Sequence, residues 1–283
     1  SVTAISGYAF RNCTALTSVT LPASWETVST GTYSDRSPFA GCAALTELTI
    51  PSGMESIPDY AFADCTSLEQ IQLPEGLTKI GNDSFSGCSA LREIHLPESL
   101  TQIENGAFNS CTALTSVTLP GQITKLNPYV FSGCTALKEA FLPETLTEID
   151  YYAFNGCTAL PEIVIPDSVT AISGYAFREC SALTSVTLPV SWETVGTGSY
   201  SDRSPFADCT RLTQVTFPDG MTRIPDYAFS NCVSLEKVIF PEGLTEIGAD
   251  AFQGCTKLDS LDFPASLEVI GSSAFENCTG LRL

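Results

Sequence analysis

The chain has 283 residues, 43% hydrophobic and 16% charged, with 32 acidic side chains against 13 basic and a formal net charge of −19. That length is enough for a sizeable core, and no apolar run reaches the roughly 20 residues that cross a bilayer. So acidic a chain opposes binding to nucleic acid or anionic lipid, and its charge reads as solubility for a long exposed surface. Residues 1–20 lack the basic and apolar regions of a signal peptide. They read as the middle of a repeat, and the closing GLRL stops where a strand is due, so a segment of a longer protein is expected.

The first elements in chain order are a tight turn, YAFRNCTAL at 8–16, and a short strand in LTSVTLP at 16–22. In the turn Phe10, Cys13 and Leu16 stand three apart, the spacing of one helical turn with all three pointing inward. The strand alternates apolar and polar residues and ends on proline, which cannot donate to a ladder. This pair of elements recurs along the whole chain. Cysteines stand at 13, 42, 65, 88, 111, 134, 157, 180, 209, 232, 255 and 278, with gaps of 23 except for two of 29. Each has Phe three positions before it and Leu three after. Apolar residues recur at Cys+6, +8, +12 and +15, as in Val117, Leu119, Leu77 and Ile80. One repeat reads C-x-x-L-x-x-V-x-L-P-x-x-L-x-x-I-x-x-x-A-F-x-x. A 23-residue unit cannot bury its apolar face alone, whereas stacked units can, so a solenoid is expected.

The next stretch in chain order interrupts this pattern. SWETVSTGTYSDRSPF at 24–39 adds six residues between Val28 and Phe39, and SWETVGTGSYSDRSPF at 191–206 does the same between Val195 and Phe206. Trp25 and Trp192 fall on the Cys+12 apolar station, which places them in the core. The rest is rich in turn formers and maps to a loop on one face. Tyr33, Asp35, Arg36, Tyr200, Asp202 and Arg203 make these loops candidate binding sites, with a structural bulge as the other reading. Residues 1–62 and 168–229 match closely at an offset of 167, one 29-residue unit and six of 23. The expected organisation is therefore a single continuous domain over 1–283 of about twelve repeats. Residues 1–167 form one seven-repeat module and 168–283 a partial second copy.

These units resemble the leucine-rich repeats of the BspA-like bacterial class, L-x-x-L-x-L-P-x-x-L-x-x-I-x-x-x-A-F-x-x-C, over essentially the whole chain. The usual asparagine ladder position holds Ser24, Gly53, Gly76 or Ser99 here, and the cysteine before leucine takes over as the small buried ladder residue. The fold expected is a leucine-rich-repeat solenoid. One short parallel strand per repeat forms a curved sheet, with short helical turns and extended segments on the other faces. The resemblance further implies a bacterial cell-surface or secreted protein. Its role would be non-enzymatic binding of a host or bacterial surface protein or glycan, as in adhesion, with a structural spacer as the alternative. A monomer with no cofactor is expected.

Twelve cysteines raise disulfides and metals as alternatives. Equal spacing puts every thiol at the same inward station, roughly 5 Å from the next, and parallel Cβ vectors fit disulfide geometry poorly. Free, buried thiols acting as small hydrophobes follow. There is no C-x-x-C, and the only histidine is His95, so no metal site is expected. His95 lies at an outward strand position with no nucleophile set apart from the repeat, and no G-x-x-x-x-G-K phosphate loop occurs. Asn12-Cys13-Thr14 and Asn277-Cys278-Thr279 match a glycosylation pattern but overlap the cysteine turn and receive no role.

Two columns remain. Outward strand positions at Cys+5 and Cys+7 should line one face spanning roughly 50 Å at about 4.8 Å per coil. The Cys+7 column runs Thr20, Thr49, Gln72, His95, Thr118, Phe141, Val164, Thr187, Thr216, Ile239, Asp262. Phe141 and Val164 are apolar in a polar column and are candidate contacts, or scattered surface hydrophobes. Tyr8, Tyr60, Tyr129, Tyr152, Tyr175 and Tyr227 stand two residues before the repeated Phe, either to stack on a ligand or to cover the Phe spine.

Overall fold

A computed structural model describes residues 5, 7–22, 37–190, 192 and 204–282. It divides into two compact units, Ser1–Pro143 and Glu144–Leu283. In the first, each coil contributes a three-residue front strand at Cys+5 to Cys+7: Ser18–Thr20, Glu47–Thr49, Gln70–Gln72, Glu93–His95, Ser116–Thr118 and Glu139–Phe141. Pairing is parallel and in step, station on station, as in Gln70↔Glu93 and Ile71↔Ile94. Front strands of the second unit are Glu162–Val164, Ser185–Thr187, Gln214–Thr216 and Lys237–Ile239, ordered in that sequence in one sheet. Residues 260–262, where the repeat calls for another, carry no strand.

One strand per repeat is an undercount. A second, two-residue strand forms at Cys+14 and Cys+15, for example Ser56–Ile57, Lys79–Ile80 and Gln102–Ile103 in the first unit. The second unit has Arg223–Ile224, Glu246–Ile247 and Val269–Ile270. The sequence shows only the inward member of each pair, the apolar Cys+15 residue, which is too short a run to read as a strand.

The A-F-x-x-C segment is a succession of tight turns, and no helix occurs among the described residues. Its amides alternate. Ala63, Cys65 and Leu68 donate within the coil to the carbonyls of Tyr60, Phe62 and Cys65 at 3.3, 3.3 and 3.1 Å. Tyr60, Phe62 and Asp64 donate instead to Asn82, Ser84 and Ser86 of the next coil at 2.7, 2.8 and 2.7 Å. A helix would keep all these bonds inside the segment. Left-handed residues prevent it, one at Cys−5 (Tyr60, φ 57°) and one at Cys−1 (Asp64, φ 57°). Both stations have positive φ in every coil of both units, from Tyr8 and Asn12 to Ser273 and Asn277.

Glycine at Cys−1 follows from this twice over. At Gly87 φ is +74°, and a Cβ there would collide with the Asp64 Oδ1 of the preceding coil. Asn12 over Gly41 and Asn231 over Gly254 repeat the arrangement. Gly87→Ala should destabilise the protein by roughly 1–2 kcal/mol, the left-handed penalty of an L-residue with a side chain. Gly87→Asn should cost less, and Gly121→Ala, which meets nothing within 4 Å, should be near neutral. Equal denaturant midpoints for the two alanine variants would contradict this account.

The core is the column set read from the repeat. Phe62, Phe85 and Phe108 are fully buried and stack at 5.6 and 5.7 Å between centroids, with ring planes within 12° of parallel. The second unit continues the pattern with Phe154–Phe177 at 5.3 Å and Phe206–Phe229 at 5.3 Å. Trp192 is 1% exposed and meets Phe206 and Phe229 edge-on, so the Cys+12 assignment holds for it. Trp25 lies outside the described residues.

Candidate functional site

The cysteines form a ladder with a chemical direction. Along the ladder a thiol donates to the carbonyl of the phenylalanine one coil earlier: Cys65 to Phe39 at 3.4 Å, Cys88 to Phe62 at 3.3 Å, Cys111 to Phe85 at 3.2 Å and Cys134 to Phe108 at 3.3 Å. In the second unit Cys180, Cys209 and Cys232 do the same to Phe154, Phe177 and Phe206, each at 3.3 Å. The thiol therefore does what the missing asparagine would do, and its role exceeds that of a small hydrophobe. All twelve thiols are free, and all but Cys13 are buried. Burial pushes the Cys65, Cys134 and Cys180 thiols up to about 12, and those of Cys88, Cys111 and Cys209 well above the ordinary value. Such thiols are neither nucleophiles nor ready metal ligands.

Threonine supplies further ladders that the sequence reading did not single out. Thr78 Oγ1 donates to the Glu55 carbonyl at 3.0 Å and Thr101 Oγ1 to that of Thr78 at 3.1 Å. Thr245 Oγ1 repeats the bond to Thr222 at 3.0 Å in the second unit. The signal was present in the sequence as threonine recurring at Cys+13.

On the front of each unit the Cys+7 column is solvent-exposed throughout, and Cys+5 nearly so, while the Cys+6 side chains between them face inward. Phe141 belongs to the first unit and is 56% exposed, opposite Thr118 in the ladder. Val164 belongs to the second and is 65% exposed, opposite Thr187. His95 is exposed at the end of its strand, beside Gln72. Tyr33, Asp35, Arg36, Tyr200, Asp202 and Arg203 lie outside the described residues.

The tyrosine column is held by the left-handed Cys−5 station, with φ near 60° at Tyr129, Tyr152 and Tyr175. Tyr152 and Tyr175 stack at 5.0 Å. Arg178 lies over the Tyr175 ring at 5.5 Å and pairs with Glu179 at 3.0 Å and Asp208 at 3.1 Å. Arg11 lies over Tyr8 at 4.9 Å at the equivalent place in the first unit. These rings are thus engaged with neighbouring side chains. Among the described residues no three His, Cys, Asp or Glu side chains converge as a metal site would require, and no helix is long and apolar enough to cross a membrane.

The geometry meets known proteins at this point. Among curated proteins there is no match. A crystal structure of a leucine-rich repeat protein from Bacteroides ovatus is 26% identical, covers 99% of this chain and 81% of its own, and superposes with a TM-score of 0.73. A leucine rich cell surface protein from Faecalibacterium prausnitzii is 31% identical over 94% of this chain and 80% of its own, TM-score 0.59. A Treponema pallidum leucine-rich repeat protein is 31% identical over 57% of this chain and 72% of its own, TM-score 0.50. The family model for the BspA type leucine rich repeat region matches residues 1–112, 32–161, 101–204 and 201–282. The chain, with its Phe stack, thiol ladder and parallel coils, belongs to the BspA-type leucine-rich repeat family.

Proposed function

We propose that this chain is a non-enzymatic protein- or glycan-binding module of a bacterial cell-surface or secreted protein, acting in adhesion or host interaction. The observation that carries this reading is the front face of each unit: strands fixed in register by backbone ladders, with exposed outward columns of short polar side chains relieved by Phe141 and Val164. A backbone held by such ladders loses little further freedom on binding, which favours affinity. The cell-surface description of the Faecalibacterium relative points the same way. The two six-residue inserts, with Tyr33, Asp35, Arg36, Tyr200, Asp202 and Arg203, are the second candidate surface, carried once in the seven-repeat module and once in its partial copy.

A screen against glycans and host and bacterial surface proteins tests this. Three forms are compared: the native chain, a variant with Tyr33, Arg36, Tyr200 and Arg203 changed to Ala, and one carrying Phe141→Ser and Val164→Ser. A ligand lost in the serine variant assigns binding to the front faces, and one lost in the alanine variant assigns it to the inserts. A native chain that binds nothing favours the spacer role instead.

A further inference from the structure

We infer that the front face of the first unit binds an extended basic polypeptide in the polyproline-II conformation, with a cation at every third residue. This rests on the binding reading above and names the ligand class of one face. Along the six front strands of the unit the Cys+5 column runs Ser18, Glu47, Gln70, Glu93, Ser116, Glu139. Carboxylates occupy the second, fourth and sixth strands, with neutral polar residues between them. All three are exposed and make no ion pair among the described residues, whereas the Lys79 ammonium is taken by Glu104 at 2.7 Å. Arg92 and Lys138, also exposed, precede Glu93 and Glu139 in the chain. With Glu69 the outward surface of these strands still carries more acid than base.

The six strands are one continuous run. Ladder pairs join the first four and the last two, and the Thr115 amide donates to the Arg92 carbonyl at 3.1 Å between them. Strands lie about 4.8 Å apart, so these acids recur every roughly 9.6 Å. A polyproline-II chain rises about 3.1 Å per residue with three residues per turn, so residues i, i+3 and i+6 share one edge at intervals of roughly 9.3 Å. Drift over both steps is about 0.6 Å. A β-strand ligand reaches nearly the same distance in three residues but turns the third side chain to its opposite face. An α-helix presents same-face residues at i+3 and i+4, about 4.5–6 Å on, and at i+7, about 10.5 Å on, so its nearest match to the acid spacing drifts by roughly 2 Å over the two steps. The neighbouring Cys+7 column offers hydrogen-bonding Thr20, Thr49, Gln72, His95 and Thr118, and ends on the exposed ring of Phe141. Aromatic side chains of this kind are what proline-rich segments dock against. The second unit shares the fold without the charge pattern: Gln214 stands where Glu47 does, and Lys237 where Gln70 does.

The test uses the full chain and its E47Q/E93Q/E139Q variant. The probes are a five-fold Pro-Pro-Lys peptide and an isomer of the same composition with its lysines irregularly spaced, in calorimetric titrations at low ionic strength. The native chain should bind the regular peptide on the order of tenfold more tightly than the isomer, the sum of three modest exposed ion pairs. The triple variant should lose that preference with an unchanged melting temperature, and Glu162→Gln should keep it. Equal affinity for the two peptides, or an unaltered preference in the triple variant, overturns the inference. If the peptides fail to discriminate while the Phe141 and Val164 changes still cost a ligand in the screen above, the ligand class falls and the binding reading stands.

Discussion

Raising the pH from 8 to 11 should unfold this protein. Cys65, Cys88, Cys111, Cys134, Cys180, Cys209 and Cys232 all have thiols pushed up by burial, whereas in the unfolded chain they return to the ordinary value of 9.0. A thiol raised in the folded state favours folding fully only below its unfolded value. Above it the unfolded chain releases protons that the folded one retains, so stability falls with rising pH until the folded thiol also ionises, near 12 for Cys65, Cys134 and Cys180. One pH unit above the unfolded value each thiol costs about 1.4 kcal/mol, and the seven together about 10 kcal/mol. That matches the whole stability of an ordinary domain. Circular dichroism against pH should show a cooperative loss between pH 9 and 11. Below that range a thiol reagent should reach Cys13 quickly and the other cysteines only as fast as coils open. A chain that keeps its spectrum at pH 11 would mean that the thiols do not stay buried and neutral as the ladder requires.

Phe108→Ala should cost about 3–5 kcal/mol. Phe108 is fully buried between Phe85 and Phe131, both at 5.7 Å, and its carbonyl accepts the Cys134 thiol at 3.3 Å. Coils in a repeat array bond only to their neighbours, so a gap in mid-array also weakens the coupling of what lies on either side. Phe10→Ala is the internal comparison, because Phe10 is 42% exposed and, among the described residues, stacks on one ring, that of Phe39. Its loss should cost about 1 kcal/mol, for it leaves no closed cavity. Equal losses from the two, read from denaturant midpoints, would count against burial as the source of the spine's stability.

What was legible in the sequence was whatever recurs as residue type at a fixed station. Phe108, Cys111, Leu114 and Val117 announce their burial by spacing alone, and Phe141 and Val164 announce their exposure by parity with Val117-type neighbours. Trp192 went to the core on the same logic. What stayed hidden depends on backbone shape that side-chain identity does not encode. Tyr175 is a poor marker for a left-handed residue, because a bulky side chain normally avoids that region. The turn therefore looked helical until its φ angles showed otherwise. A thiol donating to a carbonyl, or Thr78 bonding to Glu55, needs the partner's coil in view, since donor and acceptor lie 26 and 23 residues apart. The Cys+5 charge rhythm was readable in the string, yet it has a meaning only once the strand spacing turns it into a length.

The ladder is indifferent to how far apart its partners are in the chain. Cys232 reaches Phe206 across 26 residues, and Cys209 reaches Phe177 across 32, at the same 3.3 Å. Six added residues therefore leave the closure of the coil unaltered, and each further lengthening costs only the slow, logarithmic entropy of a larger loop. That corner of the coil is a place where heritable variation carries almost no folding penalty. A lineage can exchange its contents, shorten them or extend them, and copy the result with the surrounding repeats, while the scaffold beneath stays under its own separate selection.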